Sequence, residues 1–170
     1  SSKYQDATQK NYKGVSLGEE VGQINGYVSG RPFPQEPDLN DPRAGEKLAW
    51  NFRYGLFFGD SGRIAPFYWK YRDMESGKVE RTMKMEFRAY NWQHRTLEAP
   101  LGNVENNPSD IFRTIYMRVD EPYDVKNTQL LIHRYEDDLK RDNAWLYLGF
   151  QRRVRRLASG QVTDSFLGSD

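Results

Sequence analysis

Residues 78–90, KVERTMKMEFRAY, alternate between apolar and charged side chains along almost their whole length. Val79, Met83, Met85, Phe87 and Ala89 share one parity, and charged or hydroxyl side chains take the positions between them, with Arg81 as the exception. Because successive side chains of a β-strand point to opposite faces, this pattern predicts a strand with one apolar and one polar face. A sheet that is buried on one face only is typical of antiparallel proteins.

Further segments with the same two-residue period predict the rest of an antiparallel sheet. They are IAPFYWKYRDM (64–74), FRTIYMRVD (112–120), QLLIHRYE (129–136), AWLYL (144–148) and RRVRRL (152–157). Turn sequences separate them: MESGK, VKNT, in which Asn127 suits a left-handed conformation, and LGFQ. We therefore expect sheet over residues 64–170.

The first 58 residues have a different character. Residues 1–40 are polar and rich in glycine and proline and end in GRPFPQEPDLN, so we expect an extended segment there. A helix is predicted over 41–58, because Asp41 can cap it, Pro42 suits its first turn and Gly59 can end it. The three- and four-residue spacing of its apolar stripe supports this helix: Ala44, Leu48, Phe52, Gly55 and Leu56, widened by Trp50, Tyr54 and Phe57.

Together these elements predict a single domain over residues 1–170, of the α+β class and mostly antiparallel β. A chain of this length can bury a sizeable core. The charges nearly cancel, with 25 Lys and Arg against 24 Asp and Glu, whereas nucleic-acid-binding domains usually carry a basic excess. We therefore expect no nucleic-acid partner. No apolar run approaches the roughly 20 residues of a membrane-spanning helix, and the first residues lack the layout of a signal peptide.

The residues that could carry chemistry do not form a recognisable catalytic set. GDSG (59–62) surrounds the nucleophile in chymotrypsin-like proteases, but both histidines, His94 and His133, follow Ser61, in the reverse of that family's order. Neither histidine has a carboxylate or a second histidine at metal-ligand spacing, and the chain has no cysteine. We expect no catalytic residues, no cofactor and no metal, and hence no enzyme; GDSG then marks a turn that ends the helix.

Four arginines lie close together in AWLYLGFQRRVRRL (144–157). A hairpin folded at LGFQ places Arg153 and Arg155 on one face and Arg152 and Arg156 on the other, which argues against a single basic stripe. The interpretation that follows is a solvated hairpin whose arginines pair with the nearby acids Glu136, Asp137, Asp138 and Asp142.

The apolar face of the predicted sheet is the candidate binding site. Methionine side chains are flexible and polarisable, which suits a cavity that adapts to apolar ligands. The same face could instead be solid core under the 41–58 helix, which is the more common role of an apolar stripe, and residue types alone leave both interpretations open. The candidate ligand-binding residues are Phe67, Trp69, Tyr71, Met83, Met85, Phe87, Ile115 and Met117.

Two long stretches resemble a known family. GRPFP…DPRAGEKLAWN (30–51) and LLIHRYEDDLKRDNAWLYLGFQRRVRRL…SFLGSD (130–170) are similar to Gram-negative envelope proteins catalogued as domain of unknown function 1329, often labelled outer membrane lipoprotein-sorting protein. AWLYLGFQRRVRRL also resembles a hairpin of the broader LolA/LolB-like group, although many relatives have proline where this chain has Gly149. The resemblance implies a strongly curved sheet, an unclosed barrel, with helix packed on its concave face.

The resemblance also implies a function and a location. It suggests non-enzymatic binding or transport of lipid, lipoprotein acyl chains or another hydrophobic molecule, in the periplasm or at the outer membrane. Peripheral membrane association and envelope transport proteins as partners are expected with it. Because family members are longer, we expect this chain to be a fragment that self-associates through an open sheet edge. The alternative function is a scaffold or assembly module that pairs a sheet edge with a partner strand.

Overall fold

The computed structural model describes residues 1–55, 59–137 and 139–157, and it divides the chain into two compact units. The first unit is Ser1–Ser61 with Asn91–Asn107, and the second is Gly62–Tyr90 with Pro108–Asp170. The sequence indicated one domain. The division depends on contacts between segments far apart in the chain, which the hydrophobic pattern of any one segment does not report.

The first unit contains two helices and a small hairpin. Helix α1 spans Ser2–Gly14, strand β1 (Ser16–Leu17) pairs antiparallel with β2 (Ile24–Asn25), and helix α2 spans Ala44–Arg53. The expectation of an extended segment over residues 1–40 is therefore wrong for residues 2–14. No described helix is long and apolar enough to cross a membrane.

Polar contacts hold α1 to the segment that follows β2, which explains why the apolar pattern missed this helix. The buried Asn11 amide donates to the carbonyls of Ser29 at 2.9 Å and Arg31 at 2.8 Å. Gly30 lies between them with φ +85°, and a Cβ there would lie 2.7 Å from the backbone nitrogen of Thr8. Only glycine accepts both that conformation and that close approach.

Helix α2 is shorter than predicted and is rotated relative to the predicted stripe. It begins at Ala44, because Asp41 forms a turn whose carboxylate accepts from the Arg43 amide at 2.8 Å. Trp50 and Tyr54 are buried, whereas Phe52 of the predicted stripe is 72% exposed. The rings of Trp50 and Tyr54 stack on each other, and Tyr27 stacks on Tyr54. The predicted end of the helix at residue 58 lies outside the described residues.

The second unit is built on a six-stranded, open and curved antiparallel sheet, which confirms the α+β class. Its neighbours follow chain order: β3 (Ser61–Arg72), β4 (Val79–Asn91), β5 (Ile111–Glu121), β6 (Gln129–Tyr135), β7 (Asn143–Leu148) and β8 (Arg153–Leu157). A 3-10 turn, Tyr123–Val125, lies between β5 and β6. The predicted sheet over 64–170 thus begins at residue 61, is interrupted by the segment in the first unit, and beyond residue 157 lies outside the described residues. Packing of helix on the concave face remains a prediction.

The predicted turns occur where the sequence placed them. Residues 73–78, which include the predicted turn at 74–78, connect β3 to β4, and Asn127 has the expected left-handed conformation with φ 60°. A Cβ on Gly149 would lie 2.5 Å from the Lys126 carbonyl oxygen. That close approach explains the glycine at the start of the β7–β8 turn.

Candidate functional site

The apolar face of the sheet is centred on three buried side chains. Met83 and Met85 of β4 and Val119 of β5 are at most 2% exposed and form one cluster. Four half-buried side chains pack against this cluster: Phe67, Trp69 and Tyr71 of β3, and Val125 of the 3-10 turn. This part of the face is packed core, formed by strand residues and the 3-10 turn.

From β5 to β8 the register extends the same face in two rows, because residues directly opposite each other in an antiparallel pair lie on one side of the sheet. The first row is Met117, Leu130, Leu146 and Arg155. The second row is Ile115, Ile132, Ala144 and Leu157. Apart from the buried Leu130 and the exposed Arg155, these side chains are only half-buried. The apolar face therefore continues beyond the packed cluster.

The structure thus places the candidate residues in two zones of one face. Five of them form or contact the cluster: Met83, Met85, Phe67, Trp69 and Tyr71. Ile115 and Met117 lie in the two rows, and Phe87, half-buried, follows Met85 at the next position of the same parity on β4. The residues share a face as predicted; their role in binding a ligand stays a prediction.

Arg81 is the one charged residue on β4 whose position in the alternation places it on the apolar face, and it forms an ion pair with Asp124. Its guanidinium lies 2.6 Å from the Asp124 carboxylate, next to Val125, which packs on the cluster. The 3-10 turn therefore brings a carboxylate and an apolar side chain together to this end of the face. The guanidinium remains 41% exposed, so its charge stays hydrated.

The opposite face carries a buried carboxylate that the alternating pattern did not reveal. Glu86 of β4 is 1% exposed, and three arginines surround it: Arg63 and Arg88 at 2.6 Å and Arg118 at 3.0 Å. Arg118 also pairs with Asp120 at 3.0 Å. The network joins β3, β4 and β5 across the face that the sequence indicated as fully solvated.

Hydrogen bonds from Arg63 and Arg88 lower the pKa of Glu86 from 4.5 to about 2. Stability that depends on this depressed pKa is present above about pH 4.5 and is lost as the pH falls towards 2. A Glu86→Gln variant should therefore be less stable than the wild type at neutral pH, and the difference should shrink steadily in acid. Urea unfolding followed by circular dichroism at a series of pH values measures it.

Glu80→Gln is the matched control for that prediction. Glu80 lies on the same face of β4 but is exposed, so its substitution should leave the pH dependence of stability unchanged. A Glu86→Gln variant whose stability difference stays constant from neutral pH to acid would contradict the role assigned to the arginine network.

Arg153 and Arg155 lie on one face of β8 and Arg156 on the other, as predicted, whereas Arg152 lies in the turn with φ 51°. The partners of these arginines differ from the predicted ones. Arg155 donates to Gln151 at 3.3 Å, and Arg156 donates to the Asn143 side chain. Asp142, one of the expected acidic partners, pairs instead with Arg134 at 3.1 Å. Asp138 lies outside the described residues.

The GDSG motif has a structural role that the sequence did not suggest. The carboxylate of Asp60, 1% exposed, accepts hydrogen bonds from the backbone amides of Thr96, Leu97 and Glu98. The Ser61 hydroxyl donates to the Glu98 carboxylate at 2.6 Å, so its hydrogen-bond partner is an acid rather than a histidine. This motif anchors the 96–98 loop.

Arg95 orders the same loop from its other side. It is 2% exposed, and its guanidinium donates to the carbonyls of Asn91 and Pro100, each at 2.8 Å, and of Ala99 at 3.3 Å. A buried guanidinium with several carbonyl acceptors fixes backbone geometry, because its donors point in set directions.

The two histidines lie in separate units. In the first unit, Nδ1 of His94 is 2.6 Å from the Val28 carbonyl oxygen, and its ring contacts Tyr27 and Tyr54. In the second, His133 meets Trp145 edge to face at 4.9 Å, and burial lowers its pKa. Within the described ranges, no group of three or more His, Asp or Glu side chains could hold a metal ion.

The first unit has a separate cavity of about 480 Å³ beside α2. Its walls include Phe33 and Leu48, and two ion pairs lie beside it: Lys47 with Asp41 at 2.6 Å, and Arg43 with Glu46 at 2.7 Å. Two further wall carboxylates, Glu36 and Asp38, are exposed and form no ion pair within the described residues. The hydrogen bond from Lys47 lowers the pKa of Asp41. The cavity wall thus mixes apolar and charged side chains, whereas the sheet presents contiguous apolar rows.

Comparisons with known proteins identify a family without an assigned activity. The model of the family described as protein of unknown function (DUF1329) matches residues 1–170. A crystal structure of a DUF1329 family protein from Desulfovibrio piger is similar, with 19% identity and a TM-score of 0.48 over 67% of this chain. The matched region spans 40% of that protein's chain. Comparison with curated proteins gave no match.

Proposed function

The chain belongs to the DUF1329 family of proteins of unknown function, and we propose that it is a non-enzymatic carrier. Its ligand is a lipid, a lipoprotein acyl chain or another hydrophobic molecule, bound on the apolar face of the sheet. The observation that carries this proposal is the continuation of that face, half-buried, from β5 to β8 beyond the packed cluster.

Burial of alkyl groups would supply the affinity. Each methylene removed from water contributes roughly 0.8 kcal/mol, so six would contribute about 5 kcal/mol before the entropy cost of association. Ile115, Ile132 and Ala144 present adjacent apolar surface on three neighbouring strands. A contiguous strip of this kind suits an extended alkyl chain laid across the strands.

Location and partners follow from the resemblance to the LolA/LolB-like group. We place the carrier in the periplasm or at the outer membrane, in peripheral contact with the membrane, with envelope transport proteins that deliver or receive its cargo. We assign it no nucleic-acid partner, since its charges nearly cancel at a formal net +1.

Tryptophans introduced at adjacent positions of β6 allow a direct test. Ile132 lies in the second row of the apolar face, whereas Leu131 lies on the other face, opposite Trp145. A brominated fatty acid quenches tryptophan fluorescence on contact. We expect saturable quenching to be stronger in Ile132→Trp, whose ring enters the β5–β8 part of the apolar face, and unchanged in Leu131→Trp, whose ring enters the other face.

Two results would contradict the carrier. Added quenching in Leu131→Trp but not in Ile132→Trp would move the ligand to the other face. A complete absence of saturable quenching, together with no copurifying lipid in native mass spectrometry, would leave the apolar face as core alone.

A scaffold that pairs a sheet edge with a partner strand is the second candidate function. Among the described strands, β3 and β8 each have one neighbour in the six-stranded order, and β3 is 12 residues long. Such edges present unpaired backbone groups to other chains. Sedimentation separates the candidates: a scaffold self-associates or binds a strand peptide whether or not lipid is present.

A further inference from the structure

The apolar face changes character at its last strand. Opposite Leu146 and Leu148 of β7 stand Arg155 and Arg153 of β8, so two guanidinium groups lie on the apolar side of the sheet. Both arginines are exposed. The row that begins with Met117 and Leu130 therefore ends in a positive charge after three apolar side chains.

Several other arginines of the sheet pair with carboxylates, whereas Arg72 and Arg156 donate to uncharged acceptors. Arg63, Arg88 and Arg118 surround Glu86, and Arg134 pairs with Asp142. For Arg153 and Arg155, no carboxylate lies within ion-pair distance among residues 1–55, 59–137 and 139–157. The one side-chain hydrogen bond that either makes there joins Arg155 to Gln151. Their charge is thus uncompensated within the described chain.

Resting on the carrier function proposed above, we infer that the ligand is a single-chain amphiphile with an anionic head group. Its alkyl chain lies across β5 to β7, and its head group is held by Arg153 and Arg155 at the β8 edge. Strands are about 4.8 Å apart, so the distance from the β5 side chains to those of β8 is about 14 Å. The planar guanidinium fork matches the paired oxygens of a carboxylate or phosphate.

A rival explanation exists for arginines at this position. Charged side chains on an edge strand block pairing with other chains, and that role needs no ligand. It makes no distinction between the two faces of β8, however, and it predicts no preference among amphiphiles. The binding experiment below separates the two explanations on both points.

The test compares a fatty acid, an alkyl phosphate and a fatty alcohol of equal chain length, each titrated below its micelle concentration. The Arg153→Gln/Arg155→Gln variant should bind the two anions about tenfold more weakly, the size of effect expected for hydrogen bonds to charged groups. Its affinity for the alcohol should be unchanged. Comparable losses for the acid and the phosphate mean that charge alone is recognised; a loss for one of them identifies the head group.

Arg152→Gln/Arg156→Gln is the matched control, because it removes the same charge from the turn and the other face. Arg156 lies opposite Trp145 and donates to Asn143. This control should bind all three ligands like the wild type. Circular dichroism and thermal unfolding check that both variants fold, and the single substitutions Arg153→Gln and Arg155→Gln replace the double variant if it does not.

The outcomes distinguish this inference from the carrier function itself. Equal losses of anion affinity in both double variants would reveal general electrostatic attraction and overturn the inference. If the wild type binds the alcohol as tightly as the anions and neither variant matters, the inference fails while the carrier function stands. If the wild type binds none of the three ligands, the carrier function fails as well.

Discussion

A Met85→Asp variant is expected to lose about 3–5 kcal/mol of unfolding free energy, measured by urea unfolding followed by circular dichroism. Met85 is 0% exposed and packs with Met83 and Val119. The substitution removes the thioether from this cluster and introduces a carboxylate among the apolar side chains that surround Met85. An isolated carboxylate in such a cluster is destabilising whether it stays charged or takes up a proton.

Thr82→Asp is the matched control, since it introduces the same side chain into β4 on the opposite face. Thr82 is exposed, so the added carboxylate remains hydrated and should change stability by less than about 0.5 kcal/mol. Lys84→Asp, on the same face as Thr82, should likewise cost little beyond the loss of its exposed pair with Glu121. Equal destabilisation by Met85→Asp and Thr82→Asp would contradict the assignment of Met85 to a buried face of β4 and Thr82 to an exposed one.

The sheet was predictable because the two-residue period is a direct consequence of strand geometry. Met83 and Met85 are buried and Thr82 is exposed, as the alternation of β4 required. The left-handed conformation of Asn127 was predictable for a similar reason, since few residue types other than glycine adopt it. In both cases the local chemistry of one segment determines the outcome.

The polar contacts were not predictable, because each depends on a partner far along the chain. The alternation places Glu86 on the polar face of β4, where a solvated side chain is expected. It is buried because Arg63 and Arg118 reach it from the neighbouring strands. Helix α1 was missed in the same way: Asn11 holds it through the carbonyls of Ser29 and Arg31. No apolar stripe marks such contacts in the sequence.

The candidate site was predictable in part. Alternation brought the candidate residues to one face, from Phe67 on β3 to Met117 on β5. The alternation could not show that the face is tightly packed from β3 to β5 and only half-buried from β5 to β8. Burial depends on which other side chains cover each residue, and the alternation within one strand does not report them. Nor could it place Arg155 opposite Leu146, since that pairing depends on the register of the final hairpin.

Asp60 has the second large expected effect, because a single carboxylate satisfies three consecutive backbone amides. Thr96 and Glu98 each donate to it at 2.8 Å, and Leu97 donates to the same oxygen. With Asp60 only 1% exposed, water cannot readily replace its carboxylate as their acceptor. An unsatisfied buried donor costs about 1–3 kcal/mol, and three lie in a row here.

Asp60→Ala is therefore expected to destabilise the first unit by about 3 kcal/mol or more and to release the 96–98 loop. Hydrogen exchange measured by mass spectrometry should show faster exchange of the Thr96, Leu97 and Glu98 amides. Asp60→Asn, which retains one acceptor oxygen, should fall between the alanine variant and the wild type. Ser61→Ala removes only the hydrogen bond to the half-exposed Glu98, so it should leave those amides protected.

If Asp60→Ala and Ser61→Ala accelerate exchange equally, the loop is held by something other than the carboxylate. Unchanged protection in both would assign its rigidity to Arg95, whose guanidinium binds the carbonyls on either side of the loop.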